Sequence, residues 1–190
     1  MKSNARRSPA RIVLGLLALC VFPLAAGSVH QPSHAAEDVC CKAGDTTPPN
    51  ELVKKVPPGL LNSPYPDYAK LAKEEELVKQ YRLPGCNECH GGNGGGGICP
   101  PLTQGVWFWG NTDDILFRLI ALGSQELEKQ GFVRYQYGSV HAPMPPMGFT
   151  VKTSDQMWKI IAFIRSVNPP GTNPPETVLP GKFAPAGATE

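Results

Sequence analysis

Apolar residues recur at helical intervals in three stretches of this chain. From about Asp67 to Tyr81 they fall at Tyr68, Leu71, Ala72, Leu77, Val78 and Tyr81, with no Gly or Pro among them. That spacing predicts a helix, which Leu83-Pro84-Gly85 stops. A second helix is expected to start at Asn111 or Thr112, since either side chain can cap the orphan amides of a first turn. Asp113 and Asp114 then suit the positive end of the helix dipole. Its apolar face is Ile115, Leu116, Leu119, Ile120 and Leu122, and Gly123 ends it. The third pattern is the clearest. Thr153 and Gln156 fit a capping box, and Met157, Trp158, Ile160, Ile161, Phe163, Ile164 and Val167 are apolar on more than one face. Such a helix is buried on a broad front, and Asn168-Pro169-Pro170-Gly171 closes it.

The segments between these patterns are rich in turn formers. Gly and Pro make up 41 of the 190 residues, well above average usage. Residues 37–66 carry Pro48, Pro49, Pro57, Pro58, Pro64 and Pro66, and predict an extended Pro-rich N-terminal arm. The run Gly91 to Gly97 predicts an irregular loop. Residues 124–150 look irregular as well, apart from a short helical turn expected at Gln125 to Lys129. The Pro-rich residues 169–190 predict a tail without fixed structure. One ordered domain, residues 67–168, is expected between arm and tail.

The N-terminus has the layout of a secretory signal peptide. Lys2, Arg6, Arg7 and Arg11 precede an apolar run from Ile12 to Ala26, and small residues follow at Ala25 to Ser28 and at Ala35 and Ala36. A membrane anchor needs about 20 apolar residues, and this run is shorter and broken by Pro23. Residues 1–36 are therefore expected to be removed, by cleavage after Ala36 or near Ser28, leaving a periplasmic protein with no stable membrane insertion. Bulky Leu19 argues against lipid attachment at Cys20. The full chain carries 18 basic and 16 acidic residues. The leader holds four basic residues and no acidic ones, so without it 14 basic residues face 16 acidic ones, a net charge of −2. Nucleic-acid binding has no electrostatic support in that balance.

Candidate chemistry centres on Cys86-Asn87-Glu88-Cys89-His90. A Cys-x-x-Cys-His run is the attachment signature of haem c. Two thiols three positions apart can form thioethers with the two vinyl groups of one porphyrin, and the next imidazole then reaches the iron. A thioredoxin-like redox site would want a strand before the cysteines. A zinc site would want a second Cys pair or a His cluster. Neither is present. Covalent haem would also supply the large apolar centre that a modest aromatic content leaves wanting.

For a second iron ligand the candidates are Met144, Met147 and His141, all within Tyr137 to Gly148, where three prolines stiffen the loop. Met144 is favoured, with Met147 as the alternative and His141 third. Met with His ligation raises the reduction potential, as electron carriers need. Cys40, Cys41 and Cys99 are an odd number of exported cysteines. A Cys99 bridge to Cys40 or Cys41 is expected, with Cys41–Cys99 preferred because vicinal pairing is strained; unpaired thiols are the other possibility. The Cys41–Cys99 bridge would close a loop of about 58 residues, worth on the order of 4 kcal/mol in the chain-entropy account.

These motifs resemble class I cytochrome c over about residues 67–168: a helix, CxxCH, a glycine loop with Pro-x-Leu, helices, a Met-Pro-Pro loop and a closing Trp-bearing helix. The resemblance implies an all-α class I cytochrome c fold, terminal helices packed around one covalent haem c, with Pro-rich extensions at both ends. It implies thioethers at Cys86 and Cys89, His90 as proximal ligand and Met144 as distal ligand. It also implies a hydrogen bond from His90 to the Pro100 carbonyl, and Trp107, Trp109 and Trp158 as haem walls. Cys99, where the family has Gly before Pro, departs from the general pattern. More narrowly, Tyr81 to Gly92, Gly96 to Pro100, Met144 to Met147 and Trp158 to Pro169 resemble the four-cysteine, methanol-metabolism-related c-type cytochromes. That likeness implies electrons taken from a quinoprotein (PQQ) methanol dehydrogenase and delivered to a downstream cytochrome or oxidase. No general base or nucleophile accompanies the haem motif, so no enzymatic turnover of an organic substrate is expected. The alternative is a haem enzyme or gas sensor with an open sixth coordination site.

Overall fold

The structure, a computed structural model, describes residues 40–66, 75–105, 107–134 and 142–168. The leader, the tail, the first part of the expected Asp67–Tyr81 helix and the candidate ligand His141 lie outside the described residues. Among those described there are six helices and no strand: α1 Pro49–Lys55, α2 Glu75–Arg82, α3 Cys86–His90, α4 Asp113–Leu122, α5 Ser124–Lys129 and α6 Ser154–Val167. None is long and apolar enough to cross a membrane.

The closing helix α6 is the spine of the core. Thr153 caps it, its hydroxyl accepting from the Gln156 amide at 3.1 Å. Gln156 reaches back one residue further than a simple capping box, accepting from the Lys152 amide at 2.9 Å. Met157, Trp158, Ile160, Ile161, Phe163 and Ile164 are all buried, each side chain contributing roughly 1.5–3 kcal/mol of hydrophobic stabilisation. Helix α2 lies against α6, with Tyr81 stacked on Phe163 at a ring separation of 4.3 Å. On another face of α6, Trp158 packs against Phe117 of α4 at 4.6 Å. Helix α4 begins at Thr112, whose hydroxyl accepts from the Ile115 amide, and it stops at Gly123, where φ is 76°.

The Pro-rich segment before residue 67 corrects one expectation. It does not run extended throughout. Pro49 occupies the first helical turn of α1, where its fixed φ and missing N–H are tolerated. Leu52, Val53, Val56 and Leu61 then enter the same hydrophobic cluster as α2, α4 and α6. Six prolines masked three apolar residues, Leu52, Val53 and Val56, whose spacing is that of one helix face. A buried ion pair fixes the segment. Arg118, within α4 and 3% exposed, bonds Asp114 at 3.0 Å and the carbonyls of Val53 and Val56 at 3.1 and 2.7 Å. Asp114 in turn accepts from the Leu61 amide at 3.1 Å.

A second attachment joins this segment to the start of α6. Asp155 accepts from the Gly44 amide at 2.7 Å and from the Tyr65 hydroxyl, and pairs with Lys159 at 2.9 Å. Burial works to raise the Asp155 carboxyl, but these hydrogen bonds and the Lys159 charge outweigh it and hold the group below its ordinary range. A carboxyl with a depressed native pKa stabilises the fold above its unfolded value, and that contribution is lost as pH falls through the native value. Asp155→Asn should therefore lower stability by about 1–2 kcal/mol near neutral pH. The gap to the wild type should close in urea titrations carried below about pH 4.

The cysteines are arranged differently from the expected Cys41–Cys99 bridge: in the structure Cys40 lies against Cys41. Cys41 accepts from the Asn62 amide and Cys40 lies against the Leu60 carbonyl. Cys99 is held elsewhere, its amide donating to the Cys89 carbonyl at 3.1 Å, and it remains a free thiol.

Candidate haem site

Helix α2 ends at Arg82, and the chain turns through Leu83-Pro84 to Gly85, where φ is 88°. That left-handed residue launches α3 at a new angle. One helical turn then sets Cys86 and Cys89 on neighbouring positions of a common face, with His90 following. The glycine loop folds back onto this turn. Gly96 donates to the His90 carbonyl at 2.8 Å. The approach is close: a Cβ on Gly91 would meet the Gly96 oxygen at 2.5 Å, and one on Gly97 would meet the Cys89 oxygen at 2.8 Å. The consequence is the placement of Pro100. Its carbonyl oxygen lies 2.8 Å from His90 Nδ1. A carbonyl can only accept, so Nδ1 carries the proton and Nε2 keeps the bare lone pair needed to bind iron.

The methionine loop is seated on the end of α4. Ser124 holds Met144 twice, its amide donating to the Met144 carbonyl at 3.0 Å and its hydroxyl accepting from the Met144 amide at 3.1 Å. The Met147 and Gly148 amides donate to the carbonyls of Ile120 and Ala121. Gly123 has no room for a side chain, because a Cβ there would meet the Met144 oxygen and the Pro146 nitrogen at 2.8 Å. Gly123, expected only as a helix end, and Ser124, expected only as the start of an irregular stretch, are thus residues that seat the methionine loop. Their partners lie 20 residues away, and nothing in the local pattern announces that pairing.

These elements enclose one cavity of about 520 Å³. Cys86, Cys89, His90 and Pro100 line it from α3 and the glycine loop, and Met144 and Met147 from the methionine loop. Leu116, Ile120, Ile160 and Ile164 give it apolar walls, and Trp107 and Trp109 close it. Trp158 is not among the lining residues; it is core, against Phe117. Arg165 stacks over Trp107 at 5.0 Å and bonds Asp113 at 2.8 Å, bracing that wall. Cys99 also faces the cavity.

Burial pushes the Cys86 thiol up to about 11, and burial, then Cys89, raises Cys99. A thiol-exchange enzyme needs the opposite, a thiol acidified toward neutral pH. The half-buried thiols of Cys86 and Cys89, an imidazole with a free Nε2, the thioethers of Met144 and Met147 and an apolar chamber instead fit a covalently held porphyrin. A chamber of this size is within the range of ordinary cofactor sites.

An all-helical domain with that donor set around one apolar chamber defines the class of haem-carrying electron-transfer proteins. The family model for cytochrome c matches residues 69–168. The chain belongs to the cytochrome c family, whose members bind one covalent haem c and exchange electrons with redox partners. No curated protein and no solved structure matches the chain significantly.

Proposed function

We propose that this protein is an exported monohaem cytochrome c that carries electrons through the periplasm from a quinoprotein (PQQ) methanol dehydrogenase to a downstream cytochrome or oxidase. The observation that carries the electron-transfer reading is the convergence of Cys86, Cys89, His90 and Met144 on one apolar cavity. The bound haem supplies a one-electron couple, ferrous to ferric. The protein's residues do the rest. Cys86 and Cys89 tether the group, and His90 is held to one tautomer by Pro100. Ser124 holds Met144 at both its amide and its carbonyl, which would present the Met144 thioether to the iron of a bound haem. The apolar walls exclude water and disfavour additional positive charge, which raises the reduction potential.

The methanol pathway rests on the likeness of Tyr81 to Gly92, Gly96 to Pro100 and Met144 to Met147 to the four-cysteine cytochromes. Export rests on the basic and apolar leader of residues 1–36. Anaerobic mixing with purified quinoprotein methanol dehydrogenase and methanol tests the donor. Reduction of the haem within the mixing experiment supports it; an oxidised spectrum that persists removes this donor and leaves a carrier with another partner.

Met144→Ala should lower the reduction potential by on the order of 0.1 V or more, a modest part of the roughly 0.8 V that axial ligation spans. The ferrous variant should also bind carbon monoxide readily. A wild-type protein that already binds it readily would instead indicate a haem enzyme or gas sensor.

A further inference from the structure

The segment before residue 67 touches the methionine loop, and the contact is unusual. Asn50, in α1, places its Oδ1 so near Gly148 that a Cβ on that glycine would meet it at 1.9 Å and Asn50 Cγ at 2.7 Å. This oxygen is buried without a hydrogen-bond partner among the described residues. An orphaned amide oxygen is costly, and here it is pressed against the backbone one residue after Met147. The same segment grips α4 from a second direction. Arg118 and Asp114 bind Val53, Val56 and Leu61 on one side of that helix. The far end of α4 offers the carbonyls of Ile120 and Ala121, then Gly123 and Ser124, to the methionine loop. Segment, helix and loop are therefore one mechanically continuous unit.

We propose that residues 49–61 are a strap that positions the distal ligand by keeping the methionine loop closed over the haem, and that the missing side chain of Gly148 is what lets the loop seat against Asn50 of that strap. The proposal rests on the reading of Met144 as distal ligand. The strap bears on the loop from outside the chamber, and none of residues 49–61 lines it. Its effect is on how often the loop opens. Local opening of a loop is governed by its own contacts, separately from global unfolding.

The test is the rate at which the ferrous, haem-loaded, full-length protein binds carbon monoxide, which requires the sixth position to open. Gly148→Ala drives loop and strap apart and should speed binding about tenfold, a shift of the size that local contacts produce. Adding Asn50→Ala removes both offending side-chain atoms and should return at least half of that increase on a logarithmic scale, although the Ala121 oxygen, 2.8 Å from the new Cβ, still resists. The methionine-dependent red absorption band of the ferric protein should weaken and recover in parallel. Should Gly148→Ala not fold, Leu52→Ala in α1 takes its place, with Leu77→Ala in α2 as a core control. Faster binding in the first and an unchanged rate in the second support the strap. A Gly148→Ala rate equal to wild type, no relief by Asn50→Ala, or equal effects of the two leucine variants overturns it. Met144→Ala is the separate reference: if it binds no faster than wild type, the ligand reading has failed before the strap is tested.

Discussion

Cys86→Ser/Cys89→Ser, produced in a host that matures c-type cytochromes, should emerge without covalent haem and largely unfolded. The reason is lost burial. The chamber measures about 520 Å³ and is walled by Leu116, Ile120, Ile160, Ile164 and two tryptophans. Without its occupant the chamber would fill with water, and its walls would lose the apolar surface they bury against the porphyrin, at roughly 25 cal/mol per Å². A typical domain has only ~5–15 kcal/mol of stability to lose. Partial collapse would recover some of it, but the walls belong to α4 and α6, the two helices that carry the core. Circular dichroism should show most of the helix lost, and haem staining after denaturing electrophoresis should be blank. A double variant with native helicity would show that the helical shell stands without its prosthetic group.

Arg118→Leu is expected to destabilise the haem-loaded protein by about 3–5 kcal/mol, the range for stripping one partner from a buried ion pair. The side chains of Arg118 and Asp114 are each 3% exposed. Removing the guanidinium leaves the Asp114 carboxyl in the core without its counter-charge, holding the Leu61 amide hydrogen bond among the described residues. It also orphans the Val53 and Val56 carbonyls at the end of α1. Asp114→Leu/Arg118→Leu should regain part of the loss, because an uncharged pair no longer pays for an isolated charge. Urea unfolding at equilibrium measures both. A single-variant loss under about 1 kcal/mol would mean that water reaches the pair and screens it.

The helices carried by long periodic patterns were legible. Thr112 and Thr153 cap α4 and α6 at positions the residue types announced, and the short α5 lies where a helical turn was expected. The segment around α1 was not legible, because prolines signal extended chain while the burial of Leu52 and Val56 depends on partners more than 60 residues away. Pairing of distant cysteines was likewise beyond sequence: counting predicts a bridge, but whether Cys99 can reach Cys41 is decided by the backbone that ties it to Cys89. The residue types of the haem site were readable from CxxCH and the Met-Pro-Pro loop. Its supports were not. Gly123 and Ser124 support the methionine loop through contacts with residues 20 or more positions away that no local motif encodes, and α3 is too short for periodicity to detect.

The most direct measurement is the intact mass of the denatured wild-type protein from a maturation-competent host, combined with thiol alkylation. The account predicts that one haem stays attached through denaturation and that Cys86 and Cys89 resist the reagent. Colourless protein, or haem that separates on denaturation while both thiols are alkylated, would contradict it.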